Sequence, residues 1–184
     1  KELLKKIKIF NVKNILVNDD KAFKFLKIHL SKKKINIYND FKSLKDIFKK
    51  KKIDYTMSSI SGLDGLDPTL QIIEHTKNIA IANKEAIICG WPLIQNRLKK
   101  FKTKFIPIDS EHFSVWSLIE NIKEENIEKI FITASGGPFI NLPLNMFKSI
   151  TIKSALAHPN WRMGKKISID SATMMNKVFE IIEA

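Results

Sequence analysis

The chain has 184 residues, 44% of them hydrophobic, which is enough for one large domain or two small ones with a real core. Its net charge of +13 is carried almost entirely by lysine, and its single cysteine, Cys89, excludes an internal disulfide. No apolar run approaches the roughly 18 residues of a membrane span, and the charged first stretch lacks a signal-peptide pattern.

Strands and helices alternate over the first hundred residues. The apolar periodicity predicts strands at 14–19, 35–40, 53–61, 78–83 and 104–109. It predicts helices at 1–10, 20–33, 41–51 and 84–100, the last with a break at Pro92. Within 62–77 it predicts a Gly-rich turn and then a helix that begins near Pro68. Alternation with short connections is typical of βαβ units and predicts the α/β class, here a partial, Rossmann-like, doubly wound parallel sheet.

The pattern changes after residue 108. We predict a helix at 113–125, a strand at 127–135, a strand at 166–170 and a helix at 172–183, with irregular chain between the strands. We therefore divide the chain into a Rossmann-like domain at 1–108 and an α+β domain at 109–184. The G-x-G-x-x-G turn of a dinucleotide-binding sheet is missing, and we expect the first βα unit to lie upstream of Lys1.

Two acidic residues, Asp109 and Glu111, follow the last strand of the first domain. On an extended segment, residues two apart point to the same side, so both carboxylates can face one cavity. Hard oxygen ligands on one face suit Mg²⁺ or Mn²⁺. The commoner alternative is an acidic pair in solvent.

Three further stretches carry polar groups that suit an anion. In ASGGPF, Ser135 precedes two glycines whose backbone N–H groups can hold an anion, although an ordinary turn is the alternative. Ser171 is predicted to cap the helix at 172, and an amide, an ammonium and a carboxylate share one face of that helix. A capped helix with a solvated Lys–Glu pair explains this second stretch equally well. The third stretch, HPNWRMGK at 158–165, reads either as a lid over a ligand or as a loop with Trp161 in the core.

Taken together, ANKE, DSEH, SGGPF, HPNW and MGKKISIDSATMMNK, with the glutamate that follows, resemble the 1-deoxy-D-xylulose 5-phosphate reductoisomerase family of the non-mevalonate isoprenoid pathway. The resemblance covers nearly the whole chain in order, and over 158–184 it is close to residue for residue. Relative to the family, the chain lacks the glycine-loop unit and the C-terminal helical domain. It also starts at Lys rather than Met, and we expect it to be a fragment.

The resemblance implies a role for each of the polar residues. It implies a divalent metal, Mg²⁺ or Mn²⁺, on Asp109, Glu111 and Glu180. It implies substrate contacts from Lys84, Ser110, Glu111, Ser135, His158, Trp161, Ser171, Asn176, Lys177 and Glu180, four of which (Ser135, Ser171, Asn176 and Lys177) grip the phosphate. It implies catalytic roles for Lys84, Glu111 and His158, and NADPH contacts from Asn83, Glu85, Met163 and Gly164.

The implied activity is an NADPH-dependent oxidoreductase and isomerase. The resemblance implies a metal-assisted rearrangement of 1-deoxy-D-xylulose 5-phosphate, followed by hydride transfer, to give 2-C-methyl-D-erythritol 4-phosphate. It also implies a homodimer for the full-length protein. Abundant Lys, Asn and Ile favour an A/T-rich genome, and we expect a plastid-like organelle (an apicoplast), with the bacterial cytoplasm as the alternative.

Three residues depart from the family pattern. Asp64 and Asp67 stand where the family usually has small, apolar or basic residues, and Val178 replaces a glycine. Two other functions remain open from the residues alone. The basic charge would suit a nucleic-acid-binding domain, although the lysines are scattered and only Arg97 and Arg162 are arginines. The same carboxylates would also serve a metal-dependent phosphate-ester hydrolase that uses no NADPH.

Overall fold

Strands and helices alternate along the first part of the chain in the computed structural model, which describes residues 2–31, 33–49, 51–160 and 162–184. The strands are β1 (Asn14–Leu16), β2 (Asn36–Tyr38), β3 (Ile53–Ser58), β4 (Thr76–Ile81) and β5 (Lys104–Pro107). The α-helices are α1 (Glu2–Ile9), α2 (Asp20–His29), α3 (Leu44–Ile47), α4 (Leu66–Ile72), α5 (Lys84–Phe101), α6 (Ser110–Ile119), α7 (Ile152–Ala155), α8 (Lys165–Ala172) and α9 (Met175–Glu183). Short 3₁₀ turns occupy Phe41–Ser43, Leu63–Gly65, Ile73–His75, Glu124–Asn126 and Leu144–Ser149.

The strands of the described residues form two sheets. β1 and β2 are parallel, with Asn14 opposite Asn36 and Ile15 opposite Ile37. The other three strands lie in the order β3-β4-β5. The α/β class predicted from the sequence is confirmed.

The chain divides into two compact units. The first unit comprises residues 1–56, 66–79 and 92–104, and the second comprises 57–65, 80–91 and 105–184. Each is built from several segments, whereas the predicted division at residue 108 cuts the chain once; that division stays a prediction. No helix of the described residues is long and apolar enough to cross a membrane.

The first unit is organised by aliphatic burial. Ile7, Ile15, Leu26 and Leu30 form a buried cluster, in which Leu26 of α2 and its C-cap Leu30 are four residues apart and so share one face. Asp19 caps α2 by accepting a hydrogen bond of 2.7 Å from the backbone N–H of Ala22. The apolar periodicity of the sequence therefore predicts this unit well.

The second unit contains the loops that follow β3 and β4. The buried Asn83 links these loops, because its Nδ2 donates to the backbone oxygens of Ile60 and Gly62 at 2.5 Å and 2.6 Å. Its Oδ1 accepts from the backbone N–H of Ala86 at 3.1 Å. Asn83 thereby caps the start of α5 and fixes the position of Lys84, the first residue of that helix.

The strand predicted at 127–135 is wrong. Residues 127–135 form neither strand nor helix in the structure, and the Phe131 side chain is 85% exposed. The consecutive Ile130, Phe131 and Ile132 give the segment a high β-propensity, but a strand also requires a hydrogen-bonded neighbour. No strand among the described residues pairs with this segment.

The strand predicted at 166–170 is also wrong, because these residues belong to helix α8. Ile167 and Ile169 alternate as in a strand, yet the buried side chain between them is Ser168, whose hydroxyl donates to the backbone oxygen of Gly164 at 3.1 Å, one turn earlier. The helix predicted from 172 starts instead at Met175. Met174 separates the two helices with a left-handed φ of 62°.

Two further predictions about helices differ from the structure. The helix predicted at 113–125 is α6, which begins at Ser110 and ends at Ile119. The break predicted at Pro92 is absent, since α5 continues through it. Proline removes one N–H donor, but its fixed φ is compatible with a helix, so the chain does not have to leave the helix there.

Candidate active site

Three carboxylates of the second unit converge in space. Asp109 caps α6, Glu111 lies in the first turn of the same helix, and Glu180 lies on α9 with 2% of its surface exposed. One oxygen atom from each carboxylate lies within 4.8 Å of the others. The predicted approach of Asp109 and Glu111 is therefore present, but it arises at a helix start, where the Glu111 N–H donates to Asp109 Oδ1 at 3.3 Å.

Two lysines lie between these carboxylates. Lys84 Nζ is 2.6 Å from Asp109 Oδ2 and 3.2 Å from Glu180 Oε1. Lys177 Nζ is 2.8 Å from Glu111 Oε1 and also contacts Glu180 Oε2. Both lysine side chains are nearly buried, so the five groups form one charged cluster within the second unit.

Two further polar side chains extend this cluster. The amide of Asn176 accepts a hydrogen bond of 3.0 Å from Lys84 Nζ and donates to Glu180 Oε1. The Ser110 hydroxyl donates to Glu111 Oε2 at 2.7 Å. Three of the residues predicted on one face of the last helix, Asn176, Lys177 and Glu180, are therefore brought together with residues nearly a hundred positions earlier.

The contacts within the cluster favour the charged forms of Lys84, Lys177 and Glu111. Burial by itself would lower the pKa of Lys84, but the hydrogen bond and charge of Asp109 outweigh it, and the pKa is raised. Burial likewise opposes charge on Lys177, and hydrogen bonds to Glu111 and Glu180 raise its pKa above the ordinary value. Burial would raise the pKa of Glu111, but the hydrogen bonds from Lys177 and Ser110 lower it.

The donor set fits a divalent cation. Three carboxylates and two ammonium groups leave one net negative charge in a largely buried space. Glu180 Oε2 is buried and is paired with the Lys177 ammonium. Carboxylate oxygens are the ligands that Mg²⁺ and Mn²⁺ prefer, so a cation on Asp109, Glu111 and Glu180 would balance the remaining negative charge.

Ser135 lies at the anion-binding turn predicted from the sequence. Its Oγ is 3.3 Å from His158 Nε2 and accepts a hydrogen bond of 3.4 Å from the Gly137 N–H. Gly136 and Gly137 have φ values of 78° and 63°, a region that favours glycine, so this turn requires both residues. Ser171 was predicted to cap the last helix. It lies instead in the last turn of α8, and the N-cap position of α9 is occupied by Met174.

A cavity of about 470 Å³ contains most of the predicted site residues. Its lining includes Lys84, Asp109, Ser110, Glu111, Ser135, His158, Met163, Ser171, Asn176, Lys177 and Glu180. A larger cavity of about 1010 Å³ is lined by apolar and polar residues of α6 and of residues 126–133. The smaller one holds the charged cluster, and we therefore take it as the candidate site.

The other predicted residues lie elsewhere. Of those that the structure describes, Asn83, Glu85 and Gly164 are outside the lining of this cavity. Trp161 lies outside the described residues. The Glu85 carboxylate is 2.8 Å from Lys166 Nζ; burial would raise the pKa of Glu85, but the hydrogen bond from Lys166 lowers it. The predicted contacts of these residues with NADPH stay predictions.

Sequence reasoning missed two basic residues near the site. Arg162 lines the same cavity, and it is one of only two arginines in the chain, which was a usable signal. Lys166 contacts Asp170 at 2.6 Å as well as Glu85. Only the contact of Lys166 with Asp170 follows from helical spacing. The sequence carried no signal for the contact of Lys166 with Glu85.

The chain matches two models of one family. Residues 1–90 match the model described as 1-deoxy-D-xylulose 5-phosphate reductoisomerase, and residues 105–184 match the model of its C-terminal domain. A reductoisomerase of Pelagibacter ubique (strain HTCC1062) is 62% identical over 185 residues, covering 100% of this chain and 48% of that protein. One of Wolbachia pipientis subsp. Culex pipiens (strain wPip) is 42% identical, covering 99% of this chain and 46% of that protein.

Solved structures agree with these matches. The reductoisomerase from Zymomonas mobilis in complex with NADPH superposes with a TM-score of 0.85 at 34% identity, covering 100% of this chain and 47% of that one. A reductoisomerase in complex with NADPH, fosmidomycin and magnesium gives a TM-score of 0.83 at 32% identity, covering 100% of this chain and 48% of that one.

The chain spans about half the length of the relatives it matches. The relatives named above are bacterial, and they give no support to the plastid location expected from composition. The family resemblance found in the motifs is confirmed by the models, the relatives and the solved structures alike. The chain belongs to the 1-deoxy-D-xylulose 5-phosphate reductoisomerase family.

Proposed function

We propose that the full-length protein is an NADPH- and divalent-metal-dependent reductoisomerase acting on 1-deoxy-D-xylulose 5-phosphate. The product is 2-C-methyl-D-erythritol 4-phosphate, a precursor in isoprenoid synthesis. The observation that carries the proposal is the buried cluster of three carboxylates and two lysines, which shares one cavity with the hydroxyls of Ser135 and Ser171. A basic surface for nucleic acid has no use for such a cluster.

At the metal end of the cavity, Asp109, Glu111 and Glu180 hold Mg²⁺ or Mn²⁺. The bound cation supplies Lewis-acid polarisation of neighbouring oxygen atoms. Lys84, the first residue of α5, places its ammonium beside the substrate's hydroxyl and carbonyl end. Ser110 is beside Glu111 and orients that carboxylate through its hydrogen bond.

At the other end, Ser135, Ser171, Asn176 and Lys177 hold the phosphate. Lys177 now pairs with Glu111 and Glu180. With a cation on those carboxylates, the Lys177 ammonium would be available to bind the phosphate. Phosphate binding far from the reacting carbons supplies orientation energy to the rearrangement. His158, held near Ser135, contacts the substrate from the loop that precedes α8.

We assign the NADPH contacts to Asn83, Glu85, Met163 and Gly164. The Asn83 amide is already occupied in holding the loops, so its contact with the cofactor uses the backbone. Trp161 belongs to the proposed lid. The homodimer rests on the family resemblance alone, and the bacterial cytoplasm is favoured over a plastid because the relatives are bacterial.

The test is NADPH oxidation by the full-length protein, supplied with 1-deoxy-D-xylulose 5-phosphate and Mn²⁺, with Glu111→Ala measured beside it. We expect metal-dependent oxidation in the wild type and a loss of roughly 10³-fold in the variant, because several kcal/mol of transition-state stabilisation disappear with the metal. Phosphate release without NADPH oxidation would favour the hydrolase instead.

No oxidation by a folded, metal-loaded protein would contradict the proposal. The departures from the family pattern would then be examined first. Asp64 lies on the 3₁₀ turn Leu63–Gly65, and Val178 lies on α9 one residue after Lys177. Asp64→Ala and Val178→Gly are the matched reversions.

A further inference from the structure

A buried carboxylate next to the candidate site has no role in the proposed function. Glu183 lies at the end of α9 with 1% of its side chain exposed. Its Oε1 lies 3.0 Å from Nδ1 of His112, while its Oε2 has no hydrogen-bond partner among the described residues. Burying an ionisable group with a single partner costs free energy, so the contact calls for a function.

The contact runs beside the metal ligands. His112 follows Glu111 on α6, and Glu183 is three residues after Glu180 on α9, hence on the same side of that helix. The imidazole is also held by an aromatic neighbour, because the rings of Phe105 and His112 have centroids 5.8 Å apart. The pair therefore joins the two helices at the level of the three carboxylates.

The metal ligands come from these same two helices. Asp109 and Glu111 lie at the start of α6, whereas Glu180 lies on α9. A Mg²⁺ or Mn²⁺ site tolerates little variation in ligand distance, so the spacing of the helices determines whether all three oxygens reach one ion. The ion pairs of Lys84 and Lys177 are made to the proposed ligands themselves, so a bound cation would compete with them and they would not fix this spacing.

We propose that His112 and Glu183 are positioning residues that hold α6 against α9 and so preform the metal site. The inference rests on the proposed function, in that it takes Asp109, Glu111 and Glu180 as metal ligands. Because an ionised carboxylate only accepts hydrogen bonds, Nδ1 of His112 carries the proton in this contact, and a neutral acceptor at residue 183 would maintain it. What the site requires is the hydrogen bond between the helices rather than the charge.

The test is Mn²⁺ binding to the full-length protein without substrate or NADPH, measured by titration calorimetry. Glu183→Ala and His112→Ala each break the contact, from opposite helices, and we expect each to weaken Mn²⁺ binding by about tenfold or more. Glu183→Gln keeps an acceptor, and His112→Asn places an amide N–H where Nδ1 stood. We expect both of these variants to bind Mn²⁺ within about threefold of the wild type.

The first unit offers a matched control. His75 Nε2 lies 3.0 Å from Glu74 Oε1, with both side chains largely buried, so His75→Gln alters a similar contact in the first unit. It should lower the unfolding temperature without changing the Mn²⁺ affinity. Loss of affinity in His75→Gln equal to that in Glu183→Ala would overturn the proposal, since general destabilisation would then explain both.

Two other outcomes would overturn it. If Glu183→Ala and His112→Ala, checked for folding by circular dichroism, bind Mn²⁺ like the wild type, the contact does not position the ligands. If Glu183→Gln binds as weakly as Glu183→Ala, the charge of Glu183 acts on the metal directly. Glu180→Gln separates this inference from the proposed function. Unchanged Mn²⁺ binding in that variant would contradict the assignment of Glu180 as a metal ligand, on which the proposed function depends.

Discussion

The two units of the chain bury different kinds of side chains. The first unit buries an aliphatic cluster, and its Lys6–Glu2 and Lys49–Asp46 ion pairs are largely exposed. In the second unit Lys84 and Lys177 are nearly buried among three carboxylates, one of which, Glu180, has only 3% of its side chain exposed.

This difference distinguishes charged side chains that are hydrated at the surface from charged side chains that have lost their hydration. Exposed ion pairs contribute about 0–1 kcal/mol and need no function. Buried charges lose several kcal/mol of hydration each, which their attraction does not always offset, so apolar residues would often stabilise a fold as well. The burial of charge in the second unit is therefore understandable as the requirement of a ligand. The comparison predicts that substitutions in the first unit change stability and that substitutions in the cluster change activity.

The largest effect on stability is expected from Ile94→Ala in the first unit. Ile94 is fully buried, and its truncation removes apolar contacts and leaves a cavity, which costs about 2–5 kcal/mol of unfolding free energy. Urea denaturation measures the loss, and Ile9→Ala, at a 73% exposed position, is the control with an expected change within about 0.5 kcal/mol. The turnover of the folded protein should not change in either variant. A lower kcat in folded Ile94→Ala would contradict the prediction that substitutions in the first unit change stability and not activity.

A smaller effect, on activity, is expected from Lys177→Met in the cluster. If Lys177 binds the phosphate as proposed, loss of this charged hydrogen bond costs about 1.5–3 kcal/mol, and KM for the proposed sugar phosphate should rise roughly 10- to 100-fold. Steady-state kinetics at saturating metal and NADPH measure this. Lys165→Met removes an exposed lysine at the start of α8 and should leave KM unchanged. An unchanged KM in Lys177→Met would place the phosphate elsewhere.

The sequence predicted most of the first unit, because its strands and helices follow apolar periodicity. β3, β4 and α5 lie where that periodicity places them, to within a few residues. It predicted poorly where structure depends on a neighbour. The segment at 127–135 has the residues of a strand but no partner strand among the described residues, and the left-handed backbone of Met174 leaves no mark in the sequence.

The site was predictable as a set of residues but not as an arrangement. The motifs identified Asp109, Glu111 and Glu180, and the structure brings all three together. The contact of Lys84 with Asp109 and Glu180 depends on how α5, α6 and α9 pack, which no local spacing encodes. The His112–Glu183 contact could not be predicted for the same reason, because its partners are 71 positions apart in the sequence.

The smallest expected effect is a dependence of stability on pH that originates in the first unit. Burial lowers the pKa of His75 below its ordinary 6.5; the charge of Glu74 opposes this, and those of Lys45 and Lys52 add to it. The folded protein therefore favours neutral His75, whereas the unfolded chain takes up its proton at higher pH. The contribution of His75 to stability is complete above about pH 6.5 and is lost as the pH falls toward the folded-state pKa.

His75→Gln removes this titration while keeping a polar side chain of similar size. We expect the wild type to lose more unfolding free energy than the variant between about pH 7.5 and about pH 5.5, on the two sides of the ordinary histidine pKa. Urea denaturation at both pH values measures the difference, and Mn²⁺ binding by the folded variant at neutral pH should match that of the wild type. Equal losses in the two proteins would show that His75 titrates alike folded and unfolded, so that its burial beside Glu74 carries no free-energy cost. Burial of an ionisable group would then have no measurable cost in the first unit. The inference that buried charge indicates a ligand site would depend only on Glu180, Lys84 and Lys177 in the second unit.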